Sequence, residues 1–226
     1  AEDENAIKIN GASPTLKNLI IKDNTRTEDS SPGGAGIYIT EADGNHVEPT
    51  IDNCIFENNL APNTSGAAIA MFASNESTLT INNSIFTQNS ADSGGAILIE
   101  TGNLNIANCT FSENTAINTG GAIYLVNSEF EIARSVLNNN HADDDGGAIS
   151  AANSDLNLEG VTIACNTINE PSQGGSAMDI RFESTLTVKN SILQYNSGGT
   201  NDVDLSQSTS NDWYYNNCED TECLQD

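Results

Sequence analysis

The sequence predicts an all-β protein: a right-handed, single-stranded parallel β-helix, or solenoid, of about seven to eight similar coils stacked into a rod. Three observations predict this fold: a recurring glycine motif, an asparagine that closes each coil, and short runs of alternating apolar residues. The glycine motif recurs in steps of 33, 28, 26, 26 and 28 residues, which is typical of stacked repeats. Its copies begin at Gly33, Gly66, Gly94, Gly120, Gly146 and Gly174.

The closing asparagine follows a short apolar run in every coil. The residue three positions before it is Phe, Leu or Ile, and the residue five positions before it is mostly small or apolar. Two such columns with period two indicate one face of a strand. The closing asparagines are Asn24, Asn59, Asn89, Asn114, Asn140, Asn166 and Asn196.

Two further strands are predicted in each coil. One lies upstream, as in Leu104 and Ile106, and the other begins at the glycine motif, as in Ile97 and Ile99. The corner between the first two strands carries a second asparagine column, in which Arg134 and Gly160 are the exceptions. We expect equivalent strands of neighbouring coils to pair about 4.8 Å apart, with asparagines stacked at the corners and Phe rings stacked in the core.

The charge balance excludes several classes of partner. The 226 residues include 7 basic and 32 acidic side chains, a formal net charge of −25. Binding to nucleic acid requires clustered Lys and Arg, so no nucleic-acid partner is expected, and polyanionic substrates are disfavoured for the same reason. No apolar stretch reaches the roughly 20 residues of a membrane-spanning helix, so no membrane insertion is expected.

Both repeated motifs resemble those of a known family. Gly94-Gly95-Ala96-Ile97 and Phe86-Thr87-Gln88-Asn89 resemble the Gly-Gly-Ala-Ile and Phe-x-x-Asn repeats of chlamydial polymorphic membrane proteins, and of other bacterial surface proteins with β-helix repeats. The resemblance covers about residues 14–205. It implies a parallel β-helix at an extracellular or cell-surface location, and it implies adhesion only loosely.

We predict two regions: a β-helix domain over residues 1–205 and a C-terminal cap over residues 206–226. Trp213 and Tyr214 would cover the last layer of the core. Cys218 and Cys223 would form a disulfide in an oxidising compartment.

Two other cysteines are predicted to stay reduced. Cys54 and Cys109 share one inward column with the coil of Ser84 between them. Two strand spacings place them roughly 10 Å apart, which exceeds the reach of a disulfide.

No cofactor is evident, but one loop offers candidate ligands for calcium. Asp143 and Asp145 precede a glycine motif, and hard carboxylate oxygens that converge in a loop can hold Ca²⁺. The alternative is a solvated acidic turn without a metal.

Many β-helix proteins cleave polysaccharides, and such enzymes need a pair of carboxylates on one face. The placement of the carboxylates therefore indicates whether this chain could be such an enzyme. Asp52 and Glu131 are predicted in one outward column, three coils or about 14 Å apart. Glycosidase pairs lie about 5–9.5 Å apart, so the sequence predicts no enzyme.

A β-branched stripe is predicted on the outer side of the strand that precedes the closing asparagine. It could dock a partner, or it could reflect only the preference of β-branched residues for strands. The stripe consists of Ile20, Ile55, Ile85, Thr110, Val136, Thr162 and Ile192.

The sequence therefore predicts a secreted or surface-displayed module with a structural or adhesive role, whose partner is a protein or glycan at a cell surface. Two alternatives remain open. One is a carbohydrate-active enzyme, a polysaccharide lyase or hydrolase. The other is an extracellular filament subunit that self-associates through its coil ends, where unpaired backbone groups invite pairing. The first coil has only Ala1 to Ala6 before it, so we expect that end to be covered by something outside this sequence.

Overall fold

Parallel pairing between consecutive coils builds the fold. The structure is a computed structural model that describes residues 5–27, 33–169, 174–199, 201–205, 210–214 and 217–218. In it, each strand pairs in parallel with the equivalent strand of a neighbouring coil. The chain winds as a right-handed β-solenoid of about seven turns. The predicted fold is thus confirmed. None of the described residues belongs to a helix long and apolar enough to cross a membrane.

Three sheets of eight strands and a shorter sheet of five strands run along the rod, and we name each by its composition or length. The glycine sheet consists of Ile7–Asn10, Ile37–Thr40, Ile69–Phe72, Ile97–Glu100, Ile123–Val126, Ile149–Ala152, Gly175–Arg181 and Asn201–Asp204. The leucine sheet consists of Thr15–Lys17, Thr50–Asp52, Thr78–Asn82, Asn103–Ala107, Glu129–Ala133, Asp155–Glu159, Thr185–Lys189 and Ser210–Tyr214. The phenylalanine sheet consists of Ile20–Lys22, Ile55–Glu57, Ile85–Thr87, Thr110–Ser112, Val136–Asn138, Thr162–Ala164, Ile192–Gln194 and Asn217–Cys218. The short sheet consists of Leu60–Ala61, Ser90–Ala91, Thr115–Ala116, His141–Ala142 and Thr167–Ile168.

The short sheet differs from the prediction of three strands per coil. Each of its strands has two residues and directly follows the closing asparagine, as Ser90–Ala91 follows Asn89. Alternation cannot be recognised in two residues, so the periodicity of the sequence gives no sign of this sheet.

Left-handed backbone conformations turn the chain at its corners. Between the leucine and phenylalanine sheets, the corner residues have φ values from 49° to 64°. Asn and Gly adopt this region at the lowest cost, which explains the second asparagine column. Arg134 occupies the same conformation, and its Nε donates to Asn108 Oδ1 at 3.1 Å. The corner residues are Asn18, Asn53, Asn83, Asn108, Arg134, Gly160 and Asn190.

The closing asparagines form a continuous buried ladder. Each Nδ2 donates to Oδ1 of the asparagine in the next coil at 2.8–3.0 Å. Asn89 Nδ2 also donates to the Phe56 carbonyl at 3.0 Å, and the Asn89 backbone N–H donates to Asn114 Oδ1 at 3.1 Å. The amide of Asn89 therefore satisfies both of its donors and its acceptor inside the core.

Aromatic stacking confirms the predicted core register. Phe56, Phe86 and Phe111 are fully buried, and their ring centroids are spaced 4.6 Å apart along the rod. The planes deviate from parallel by 1° and 5°. Each ring covers its neighbour, because equivalent residues of successive coils pair directly.

The inward cysteines are free thiols, as predicted. Cys54 and Cys109 are buried, and Cys109 Sγ accepts the backbone N–H of Ser84 at 3.4 Å. Burial raises the pKa of the Cys109 thiol to about 11. The predicted disulfide between Cys218 and Cys223 lies outside the described side chains.

The chain continues the sheets within the region predicted as a cap. Ser210–Tyr214 pairs with Thr185–Lys189, and Asn217–Cys218 pairs with Ile192–Gln194. The backbone thus adds strands to two sheets beyond residue 206. The covering role of Trp213 and Tyr214 concerns side chains outside the described set, and the domain boundary stays a prediction.

Candidate functional site

An open groove lies on the outer face of the leucine sheet. Strand alternation turns Phe130 and Ile132 into the core and Glu129 and Glu131 outward. Neighbouring coils repeat this arrangement, and together they enclose about 450 Å³. Polar and charged side chains line the groove, including Asn105, Glu131, Asn157, Glu159, Thr187 and Lys189.

A second groove follows the corner between the glycine and leucine sheets. It encloses about 560 Å³, and the strand Glu129–Ala133 contributes side chains to both grooves. Amides and carboxylates dominate its lining too, including Asn103, Asn127, Glu129, Asn153, Asp155 and Glu183.

The predicted outward column that joined Asp52 to Glu131 is wrong. Asp52 pairs with Lys17 on one side and with Asn82 on the other, whereas Glu131 pairs with Asn105 and Asn157. The two carboxylates therefore belong to columns two residues apart. The two residues differ in their distance from the corner: Asp52 lies seven residues before its closing asparagine, and Glu131 lies nine residues before its own.

The structure instead brings two other carboxylates together. Glu129 and Asp155 pair in register on adjacent coils, and both are exposed. Their backbones are one strand spacing of about 4.8 Å apart, which allows their carboxyl groups to approach the roughly 5–5.5 Å of retaining glycosidase pairs. Sequence reasoning missed this pair, although the alternation around Phe130 and Leu156 was a usable signal.

A buried acidic cluster occupies the outer side of the glycine sheet. Arg181 Nη2 lies 2.9 Å from Asp145 Oδ2, and Arg181 Nε lies 2.8 Å from Asp179 Oδ2. Burial raises the pKa of Asp179 to about 7 and also raises the pKa of Asp145. A carboxyl group of this kind could act as a general acid. However, Asp179 is only 1% exposed, so a substrate could not reach it.

The two predicted calcium ligands turn to different partners. Asp143 Oδ1 accepts Asn169 Nδ2 at 2.6 Å and lies 3.2 Å from His141 Nε2, whereas Asp145 pairs with Arg181. Among the described residues, no three His, Cys, Asp or Glu side chains form a group suited to a metal ion. Calcium binding stays a prediction.

A serine–histidine–glutamate arrangement lies between two turns. His46 Nδ1 is 3.2 Å from Ser74 Oγ, and His46 Nε2 is 2.6 Å from Glu76 Oε2. Ser74 Oγ, however, donates to Glu41 at 2.6 Å, and hydrogen bonds from Ser74 and Ser77 lower the pKa of Glu41 to about 2. Because the Ser74 hydroxyl donates to Glu41 and not to His46, the imidazole does not receive its proton, and this network instead connects the turns of adjacent coils.

The β-branched stripe faces outward, as strand alternation requires. Ile20 is 65% exposed, and Ile85, Val136 and Ile192 are also exposed. Docking of a partner on this stripe stays a prediction.

The coils and grooves define a parallel β-solenoid that presents a repeating polar surface. The chain belongs to the right-handed β-helix family, because the family model described as "Right handed beta helix region" matches residues 4–217. No curated protein matches the sequence. Since one fold can support many activities, function has to be argued from the grooves and clusters.

Proposed function

We propose that this chain is a secreted or surface-displayed β-helix module with a structural and adhesive role, which holds a glycan in the groove of the leucine sheet. The observation that supports this proposal is the open groove of about 450 Å³ with its polar lining. Amides, carboxylates and hydroxyls are suited to hydrogen-bonding the hydroxyl groups of a sugar.

Rigidity supports a binding role for this face. The strands that carry Asn105, Glu131 and Asn157 are each paired on both sides, so their side chains are presented at fixed intervals of about 4.8 Å. Little conformational entropy is then lost when a ligand binds. A linear glycan, which repeats its hydroxyl groups along its length, suits a surface that repeats its polar groups.

The charge of the chain narrows the class of glycan. Glu131 and Glu159 line the groove, and the whole chain carries a formal charge of −25. An acidic polysaccharide would be repelled, so the expected ligand is neutral or carries amino groups. The resemblance of the repeats to those of the chlamydial polymorphic membrane proteins supports the surface location.

Binding can be tested with fluorescent oligosaccharides of three kinds: neutral, amino-bearing and acidic. We expect binding of the neutral or amino-bearing probes, and a loss of about tenfold or more in affinity in the double variant Glu131→Ala, Asn157→Ala. The matched control is Glu57→Ala, Asn138→Ala on the phenylalanine sheet, which should bind as the wild type does. Equal losses in both variants, or binding of the acidic probes alone, would contradict the proposal.

The location can be tested in the source organism. Protease added to intact cells, or antibody labelling without permeabilisation, should reach the protein if it is displayed. A protein that becomes accessible only after lysis would exclude surface display, and its absence from the medium would exclude secretion.

Glu129 and Asp155 favour a second candidate function, a carbohydrate-active enzyme. They lie on adjacent coils at a spacing that suits a pair of catalytic carboxylates, beside the corner groove. Release of reducing ends from neutral polysaccharides would reveal such an activity, and Glu129→Gln and Asp155→Asn should each abolish it. Activity that survives in both variants would exclude this pair as the catalytic groups.

A further inference from the structure

The buried acidic cluster connects residues from three successive coils. Asp145 lies in the turn before Gly146, whereas Asp179 and Arg181 lie on the strand Gly175–Arg181. Asp204, on the following strand, pairs in register with Asp179. Three acidic residues thus gather around one guanidinium group in the last coils of the glycine sheet.

Hydrogen bonding leaves this cluster incomplete. Arg181 engages one oxygen of Asp145 and one of Asp179, while Oδ1 of each carboxylate is buried without a hydrogen-bond partner in the described structure. Both residues are more than nine-tenths buried. A buried ionised carboxylate that lacks partners is costly, and a single Arg balances only one of the two charges. Binding a proton removes the excess charge.

The other described groups around the cluster do not neutralise its excess negative charge. Asp204 acts on both buried carboxylates, Asp144 acts on Asp145, and all of these interactions raise the affinity of the cluster for a proton. Arg181 is the one cation that faces the cluster among the described residues. The remaining neighbours are polar or titratable: Ser150 beside Asp179 in the sheet, Tyr124 beyond it, and Glu100, which acts on Tyr124.

The acidic cluster lies beside an irregular part of the pairing between the strands Gly175–Arg181 and Asn201–Asp204. The pairing of Gly175–Arg181 with Asn201–Asp204 shifts register between Gly175 and Met178. Gly174 packs so closely on Asp145 that an added Cβ would lie 2.5 Å from Asp145 Oδ1. Any repulsion between Asp145 and Asp179 is therefore transmitted to an irregular part of the sheet.

We propose that Asp145, Asp179, Arg181 and Asp204 form a proton-operated latch, which holds the strands Gly175–Arg181 and Asn201–Asp204 firmly when protonated and loosens them when it loses the proton. The ligand of this site is a proton, taken up by Asp179 Oδ1, which has no hydrogen-bond partner among the described residues.

The sign of the pH dependence follows from the raised pKa of Asp179. Burial raises the pKa of Asp179 to about 7, so the folded state binds a proton that the unfolded chain releases above its ordinary value near pH 4. The stability from this group is present at low pH and is lost as the pH rises from about 4 to about 7. The latch thus closes in mildly acidic medium.

Hydrogen exchange on the full chain tests the latch locally. After correction for intrinsic rates, the amides of Gly175–Arg181 should exchange about tenfold faster or more at pH 8 than at pH 5, relative to those of Ile97–Glu100. Asp179→Asn, which mimics the protonated carboxyl, should keep these amides protected at both pH values. Asp143→Asn, with the same charge change in the exposed turn, should behave as the wild type does.

Carbon-detected NMR of the Asp179 carboxyl provides a second measurement that requires no variant. We expect it to titrate near neutral pH. Titration below pH 5 would overturn the proposal, and so would a pH-dependent exchange that persists in Asp179→Asn.

Discussion

At the scale of single residues, the closing asparagines must form hydrogen bonds with both adjacent coils, whereas the apolar core residues need not. A core side chain such as Phe86 needs only shape and apolar surface, whereas Asn114 must satisfy polar groups on both adjacent coils. Loss of one such amide leaves several buried groups unpaired at once, and each carries a desolvation penalty.

Asn114→Ala should therefore lower the free energy of unfolding by about 3 kcal/mol or more, since it removes partners from Asn89, from the Phe86 carbonyl and from Asn140. Chemical denaturation measures the change. The control is Asn105→Ala, an outward position, where a change within about 0.5 kcal/mol is expected. Equal effects at the two sites would mean that the ladder contributes nothing beyond strand formation.

Phe86→Ala should cost about 3–5 kcal/mol, because the ring is fully buried between two stacked neighbours. The adjacent residue provides a matched control: Ile85 points outward and is 43% exposed, so Ile85→Ala should cost less than about 1 kcal/mol. Chemical denaturation of the two variants measures both changes in the free energy of unfolding. A Phe86→Ala loss below about 1 kcal/mol would contradict the observed stacking.

At the scale of elements, close packing requires the second glycine of the motifs that begin at Gly94, Gly120 and Gly146, whereas the motif at Gly66 has Ala67 in this position. A Cβ on Gly121 would lie 2.1 Å from the Gly147 carbonyl oxygen and 2.6 Å from that of His141. Both obstacles are backbone atoms of the next coil, which cannot move without breaking the pairing of the sheets.

Gly121→Ala should thus cost about 3 kcal/mol or prevent folding. Gly160→Asn is the opposite case: Gly160 has φ +64°, a Cβ there would meet nothing closer than 3.9 Å, and other coils carry Asn at this corner. We expect that variant to stay within about 0.5 kcal/mol of the wild type. Thermal denaturation of the pair is the measurement, and a tolerated alanine at 121 would show that the coils can move apart locally.

The turn that contains Asp143 and Asp145 tests calcium. Because both side chains already have protein partners, we expect a chelator to shift the melting temperature by less than about 2 °C, and added calcium to leave it unchanged. A shift of many degrees that calcium reverses, and that Asp143→Asn abolishes, would establish a metal site instead.

Much of this element structure could be predicted, because the coils repeat and the closing asparagine sets a common register. Aligned columns of the repeated sequence predict three of the four sheets, the Phe stack and the free inward cysteines. The predicted register fails where residues at unequal distances from their closing asparagines are placed in one column, as Asp52 and Glu131 were. The cluster of Asp145 and Asp179 was beyond prediction, since Arg181 lies 36 residues after Asp145 and meets it only through a coil of irregular length.

At the scale of the whole molecule, each coil contacts only the coils next to it, so stability is distributed along the rod rather than concentrated in one centre. The proposed latch follows from this organisation. It acts on the last strands of the glycine sheet, while the groove of the leucine sheet around Glu131 lies on another face and should remain intact.

The direction of the backbone pairing also determines how the molecule responds to force. Hydrogen bonds between coils run along the rod, and an outermost coil is paired on one side only. A pull on the two chain ends should therefore detach that coil before the inner coils, which are paired on both sides. In an optical trap the protein should lengthen in a series of similar steps, each of about 90 Å for a coil of roughly 26 residues. A single cooperative rupture would contradict this. A rod that yields one turn at a time absorbs a sudden load while most of its surface stays folded.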